Sequence, residues 1–270
     1  MTSVWRDGRL VPGDPTPGAF PPGAALFETV AIRAGRVERL GDHLARLRAG
    51  LAHLGLAAGP LAAGDHAAWR RAVAALGARD AILRLVVGRG FEELGARALL
   101  EGPPVFRLRT LATRRDAPEW MPRPKSAPWA NSLAATLELR ALGEGPGAEG
   151  VQLDARGNVS EATRSSLAWV VDGVLRVPAA STGRLPGTAL AQLRAVADLP
   201  VEEVETPPPA RAAAVIVLRS TLLGGGAPAG LWADVSGAPR WEADEPGLGL
   251  ARGLLRRLAD FRAQDAVSLA

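Results

Sequence analysis

Pro118, Pro122 and Pro124 crowd into the stretch 116–124. Proline has no N–H to donate and a fixed φ, so neither a helix nor a central strand runs through such a segment. The chain is therefore expected to break there, with an N-terminal α+β domain over 1–115, a linker over 116–124 and a C-terminal α+β domain over 125–270. Its 270 residues suffice for two modest cores.

Before the break, short apolar runs meet at glycine turns. "VWRDGRLV" sets Asp7-Gly8 between two apolar arms, and "LFETVAIRAGRVERL" turns at Ala34-Gly35, both type I′ hairpin signals. Leu40, Leu44, Leu47, Leu51 and Leu54 then recur at steps of four and three, which predicts an amphipathic helix. A second helix is expected near Trp69 to Leu76, followed by strands in "AILRLVVGRG" and "VFRLRTLAT". Beyond the break, "NSLAATLELRALGEG" is a helix former ending in glycine. Two hairpins follow in "GVQLDARGNVSEA" and "SLAWVVDGVLRVP", then a helix entered through "LPGTAL". "AVIVLRST" predicts a buried strand running into glycines 224–226, and "GLARGLLRRLADF" a closing helix. Hairpins mixed with helices favour an α+β class over a doubly wound parallel sheet.

Composition excludes several functions. No cysteine is present, which removes disulfides and thiolate metal sites, and the three histidines lack ligand spacing. No metal is expected. The net charge of +4 comes from arginines interleaved with 28 acids, without the stripe that nucleic-acid binding needs. The opening "MTSVWRDGRLV" has no apolar signal region, and no run approaches a membrane span. A soluble cytoplasmic protein is expected, with no nucleic-acid or membrane partner.

Arginine supplies 31 of the 32 basic side chains; the single lysine is Lys125, in "RPKSAPW". A guanidinium stays protonated and is a poor nucleophile, so a bias from lysine to arginine can run everywhere except where a primary amine must react. Local patterns around it keep a fixed order. Phe27-Glu28-Thr29, Gly35 and His43-x-x-Arg46-Leu47 come first, then "VVGRG", "KSAPW", the Asp…Gly hairpin before Glu161, "RLPGTAL" and "LRSTLLGGGAP".

This series, from about residue 23 to 230, resembles the class IV aminotransferase family, enzymes of fold-type IV that use pyridoxal 5′-phosphate. The resemblance implies a two-domain fold like that of D-amino acid aminotransferase, with the cofactor between the domains and a homodimer. It implies that Lys125 is the catalytic amine and that Glu161 bonds the pyridine nitrogen, keeping the ring an electron sink. It places Arg46 on the cofactor phosphate, joined by the helix entrance at Gly187, Thr188 and Ala189 and by the hydroxyl of Thr221. Arg89, Glu28 and Trp129 are assigned to the substrate. The short chain and "STLLGG" point to the branch that converts 4-amino-4-deoxychorismate to 4-aminobenzoate and pyruvate. Transamination of branched-chain or D-amino acids and a non-catalytic binding role are the alternatives. The chain departs from the family in having no tyrosine, in Ser165-Ser166 after the glutamate, and in Thr188-Ala189-Leu190 after the Leu-Pro-Gly turn.

Overall fold

The computed structural model describes residues 3–6, 8–12, 25–99, 101–115, 123–126 and 130–269. The chain begins with strands β1 (Ser3–Arg6), β2 (Arg9–Pro12), β3 (Leu26–Arg33) and β4 (Arg36–Glu38). Helices α1 (Leu40–His53), α2 (Pro60–Ala63) and α3 (His66–Ala75) precede β5 (Ala81–Gly88), β6 (Phe91–Arg97) and β7 (Phe106–Thr110). Then come α4 (Ala130–Ala141), β8 (Ala148–Leu153), β9 (Val159–Ala162), β10 (Ser166–Val171) and β11 (Val174–Pro178). The last elements are α5 (Thr188–Val196), β12 (Val201–Val204), β13 (Ala214–Leu218), β14 (Gly226–Ala233), β15 (Pro239–Glu242), α6 (Glu245–Gln264) and β16 (Ala266–Ser268).

These elements form two compact units. The first comprises Met1–Leu100, Pro124–Pro128 and Arg262–Ala270. Its antiparallel sheet runs β16-β4-β3-β5-β6-β1-β2. Strand β3 alternates, with Leu26, Glu28, Val30 and Ile32 buried and Phe27 and Thr29 on the other, partly exposed face. The buried side packs under the α1 leucines at 40, 44, 47 and 51 and under Trp69 of α3. The β3–β4 turn has both central residues at positive φ, Ala34 at 47° and Gly35 at 75°, as a type I′ hairpin requires.

The second unit comprises Glu101–Arg123 and Trp129–Phe261. Its mixed sheet runs β12-β11-β10-β13-β14-β7-β8-β9, with β15 added to β14. Pairing is parallel between β11 and β12, β14 and β7, and β7 and β8. Strands β10 and β13 are buried on both faces. Leu167, Trp169, Val215 and Val217 point into one apolar cluster. Ala168, Val170, Ala214 and Ile216 point into another, closed by Leu190 and Leu193 of α5 and Leu254 and Leu258 of α6.

Three features differ from the sequence expectation. Residues 101–115, expected in the N-terminal domain, belong to the second unit, because β7 pairs with β14 and β8. The Lys125 segment groups with the first unit rather than the second, because Leu26 and Ser126 form a β-bridge and Phe27 N–H donates to the Lys125 carbonyl at 2.9 Å. The chain also continues past its final helix: Ala266–Ser268 pairs antiparallel with β4, returning the C-terminal end to the first sheet. The expected Asp7-Gly8 turn joins β1 to β2 in register, although Asp7 itself lies outside the described residues.

Candidate active site

In the first unit the chemistry gathers on both faces of β3. Glu28 points into the apolar side and is 2% exposed. A buried carboxylate needs full pairing. Helix α1 supplies it from His43 and Arg46, three residues apart and so on one helix face. Arg46 Nε and Nη2 donate to Glu28 Oε1 and Oε2, both at 2.7 Å, and His43 Nδ1 lies 2.8 Å from Oε2. Burial alone raises the Glu28 pKa, but Arg46 and His43 outweigh it and hold the group at about 2. Burial pushes the His43 pKa below its ordinary value, with Glu28 opposing.

On the opposite face, the Phe27 ring carries two cations. Lys125 Nζ lies 4.6 Å from its centroid and the Arg84 guanidinium carbon 4.3 Å. Arg84 projects from the middle of β5, opposite Thr29. Its Nε and Nη2 are buried without a hydrogen-bond partner among the described residues. Burial, reinforced by Arg97 and opposed by Glu93, lowers its pKa.

In the second unit Glu161 lies buried on β9. Its Oε1 accepts from Arg123 Nη1 at 2.8 Å and is paired with Arg115 Nη2 at 2.9 Å. Its Oε2 accepts from the backbone N–H of Leu185 at 3.1 Å. Arg115 is itself fixed by Ser132 Oγ and Gln152 Oε1. The Leu185 contact joins Glu161 to the turn that enters α5. There Gly187 is the N-cap and offers no side-chain acceptor to the first turn, whose Thr188 and Ala189 are buried. A Cβ on Gly187 would collide with Ser166 Oγ. Ser166 pairs with Leu218 at the end of β13, which leads to the buried Thr221.

The structure thus commits the Glu28 carboxylate, assigned to the substrate on sequence, to Arg46 and His43 in one unit, and in the other joins Glu161 to Leu185, just before the Gly187–Ala189 entrance. Arg89 is exposed at the β5–β6 turn. Trp129 lies outside the described residues. Sequence reasoning passed over Arg84, Arg115 and Arg123, and the only signal for Arg84 was a cation in an otherwise apolar strand. Glycines 224–226 form a turn, with Gly224 and Gly225 at positive φ, that enters β14. Among the described residues no group of His, Cys, Asp or Glu is arranged to hold a metal. No helix among them is long and apolar enough to cross a membrane.

The family model for "Amino-transferase class IV" matches residues 25–225, about three quarters of the chain. The chain belongs to the class IV aminotransferase family. Its fold is that of known members. It is similar to a branched-chain aminotransferase from the archaeon Thermoproteus uzoniensis, solved with norvaline (22% identity, 100% of this chain and 99% of that one, TM-score 0.77). It is also similar to 4-amino-4-deoxychorismate lyase from Pseudomonas aeruginosa (24% identity, 95% and 98%, TM-score 0.74). The Escherichia coli branched-chain aminotransferase shares 19% identity over 94% and 92%, with a TM-score of 0.74. At such identities the likeness establishes the fold. No curated protein sequence matches the chain.

Proposed function

We propose that this protein is a pyridoxal 5′-phosphate-dependent lyase that converts 4-amino-4-deoxychorismate to 4-aminobenzoate and pyruvate. The observation that carries the reading is Lys125. The chain's one primary side-chain amine is tied through its own backbone to β3 and held over Phe27, a ring it shares with the half-buried Arg84, two of whose nitrogens have no hydrogen-bond acceptor among the described residues.

The residues suit the cofactor. A branched-chain aminotransferase of the same fold was solved with pyridoxamine 5′-phosphate. In this chain the α5 entrance has a glycine N-cap with no side-chain acceptor, leaving the backbone N–H groups of a helix N-terminus as the natural seat for a phosphate. Arg46 adds a planar fork of donors and Thr221 a hydroxyl. Glu161, kept in place by Arg115, Arg123 and Leu185, is the carboxylate for the ring nitrogen. Thr188-Ala189-Leu190 brings only one hydroxyl and no guanidinium to that turn, so what the turn itself offers a phosphate is mainly backbone N–H groups.

When bound, pyridoxal phosphate supplies an electron sink for charge developing beside the substrate nitrogen. Lys125 would be the amine that holds the cofactor and, once free, would serve as the general base. It removes the proton from the ring carbon bearing nitrogen and returns a proton to the departing three-carbon fragment. The carbon–oxygen bond to that fragment breaks, the six-membered ring becomes aromatic, and pyruvate leaves. Arg84 holds a substrate carboxylate, the anion its unsatisfied N–H groups call for. Arg89, assigned that role on sequence, is the competing anchor. A cytoplasmic homodimer acting on this small molecule completes the reading.

Purified protein given pyridoxal phosphate is expected to turn yellow, to lose that absorbance on borohydride reduction, and to yield a reduced adduct mapped to Lys125. Lys125→Arg should abolish the covalent adduct. With 4-amino-4-deoxychorismate the product should be 4-aminobenzoate without amino transfer to 2-oxoglutarate. The opposite pattern would make the chain an aminotransferase, as its similarity to the branched-chain enzymes allows. A protein that stays colourless would overturn the enzymatic reading altogether.

A further inference from the structure

We infer that Glu28 is a positioning residue: through its two-point bond to Arg46, backed by His43, it fixes the guanidinium that grips the cofactor phosphate. This deepens the reading above and rests on its assignment of Arg46. Glu28 occupies a position where the β3 alternation demands an apolar side chain, opposite Leu85 of β5. An acid there is costly unless it is bound, and it is bound at both oxygens. The two Arg46 bonds lie side by side on Nε and Nη2, so they set the plane of the guanidinium as well as its position. His43, kept neutral by burial, donates Nδ1–H to the same carboxylate and stops it from rotating. Arg46 would otherwise lose much of its rotamer freedom on ordering. In this chain most of that cost is met in the free protein.

The competing physics is charge. Glu28 also neutralises Arg46, so removing it would strengthen the pull on a phosphate dianion if attraction mattered more than orientation. The two effects have opposite signs and can be measured. Glu28→Gln keeps the shape but turns an amide N–H₂ toward guanidinium donors. Glu28→Asp keeps the charge and shortens the reach by one methylene, which breaks the two-point geometry.

Equilibrium binding of pyridoxal 5′-phosphate and of pyridoxal, which lacks the phosphate, is measured by calorimetry for both variants and for Arg46→Met. Both Glu28 variants should bind pyridoxal phosphate roughly tenfold more weakly, as expected when a charge-assisted contact loses its geometry, with pyridoxal little changed. Tighter phosphate binding by Glu28→Gln, or wild-type binding by Glu28→Asp, would show that Glu28 is only a counter-charge and overturn the inference. If Arg46→Met leaves the ratio between the two ligands unchanged, Arg46 does not hold the phosphate and the underlying assignment fails instead. Should Glu28→Gln not fold, Glu28→Asp carries the test alone.

Discussion

Arg84 is a half-buried guanidinium, two of whose N–H-bearing atoms are buried without acceptors among the described residues. A cation in that state, facing the same ring as Lys125, suits the proposed role of substrate anchor. Arg84→Met should therefore leave stability unchanged or raise it, while lowering kcat/KM about a hundredfold, mostly through KM, as loss of a charged hydrogen bond implies. Arg84→Lys should recover part of the loss. Arg89→Met, on an exposed turn, should change kcat/KM less than about threefold, within the range of surface substitutions. Steady-state kinetics with thermal melts checks both. A large Arg89 effect with a silent Arg84 would restore the anchor that the sequence suggested. Among 31 arginines no sequence pattern separates Arg84, Arg115 or Arg123 from solvated ones, whereas Lys125 stands out because it is the single lysine.

At the scale of elements, what the sequence revealed was whatever repeats at short range. The leucine steps of α1 and the type I′ turns at Ala34-Gly35 and Asp172-Gly173 are local patterns with local causes. Strand β6 escaped because "FEELGAR" carries two acids that read as surface. In the structure Glu92 accepts the N–H groups of Leu61 and Ala62, and Glu93 pairs with Arg6, all distant in sequence. Strand β16 is only three residues and has no period to detect. The entrance to α5 was legible as Leu-Pro-Gly, but the reason for the glycine was not. Its missing Cβ makes room for Ser166, at the start of β10, the strand that follows the one carrying Glu161. Gly187→Ala should push Ser166 Oγ or the turn aside and weaken pyridoxal phosphate binding about tenfold, the equivalent of roughly 1.4 kcal/mol. Ser166→Ala removes the colliding atom, so the double variant should bind better than Gly187→Ala alone. Equal weakness in the two would mean that the backbone path, rather than that contact, requires glycine.

For the whole molecule, the buried group on β3 and α1 makes stability depend on acid. Glu28 is held at about 2 against an ordinary value of 4.5, so between those values the unfolded chain binds a proton that the folded chain refuses. Its contribution, about 3 kcal/mol as linkage for a fully buried pair, is complete above pH 4.5 and lost as pH falls toward 2. His43 acts earlier and in the same direction. With its folded pKa depressed below 6.5, the unfolded chain takes up the proton first, and stability begins to fall as pH drops through 6.5. Urea midpoints measured from about pH 7.5 to 3.5 should therefore decline in two stages, first near 6.5 and then below 4.5. Glu28→Gln should be destabilised at about pH 7, where Arg46 and His43 lose their acceptor, and should converge on wild type as acid removes the charge that the substitution had already removed. His43→Asn should flatten only the first stage. Curves that stay parallel at every pH would mean that neither group titrates differently on folding, and that the acid sensitivity lies with exposed carboxylates instead.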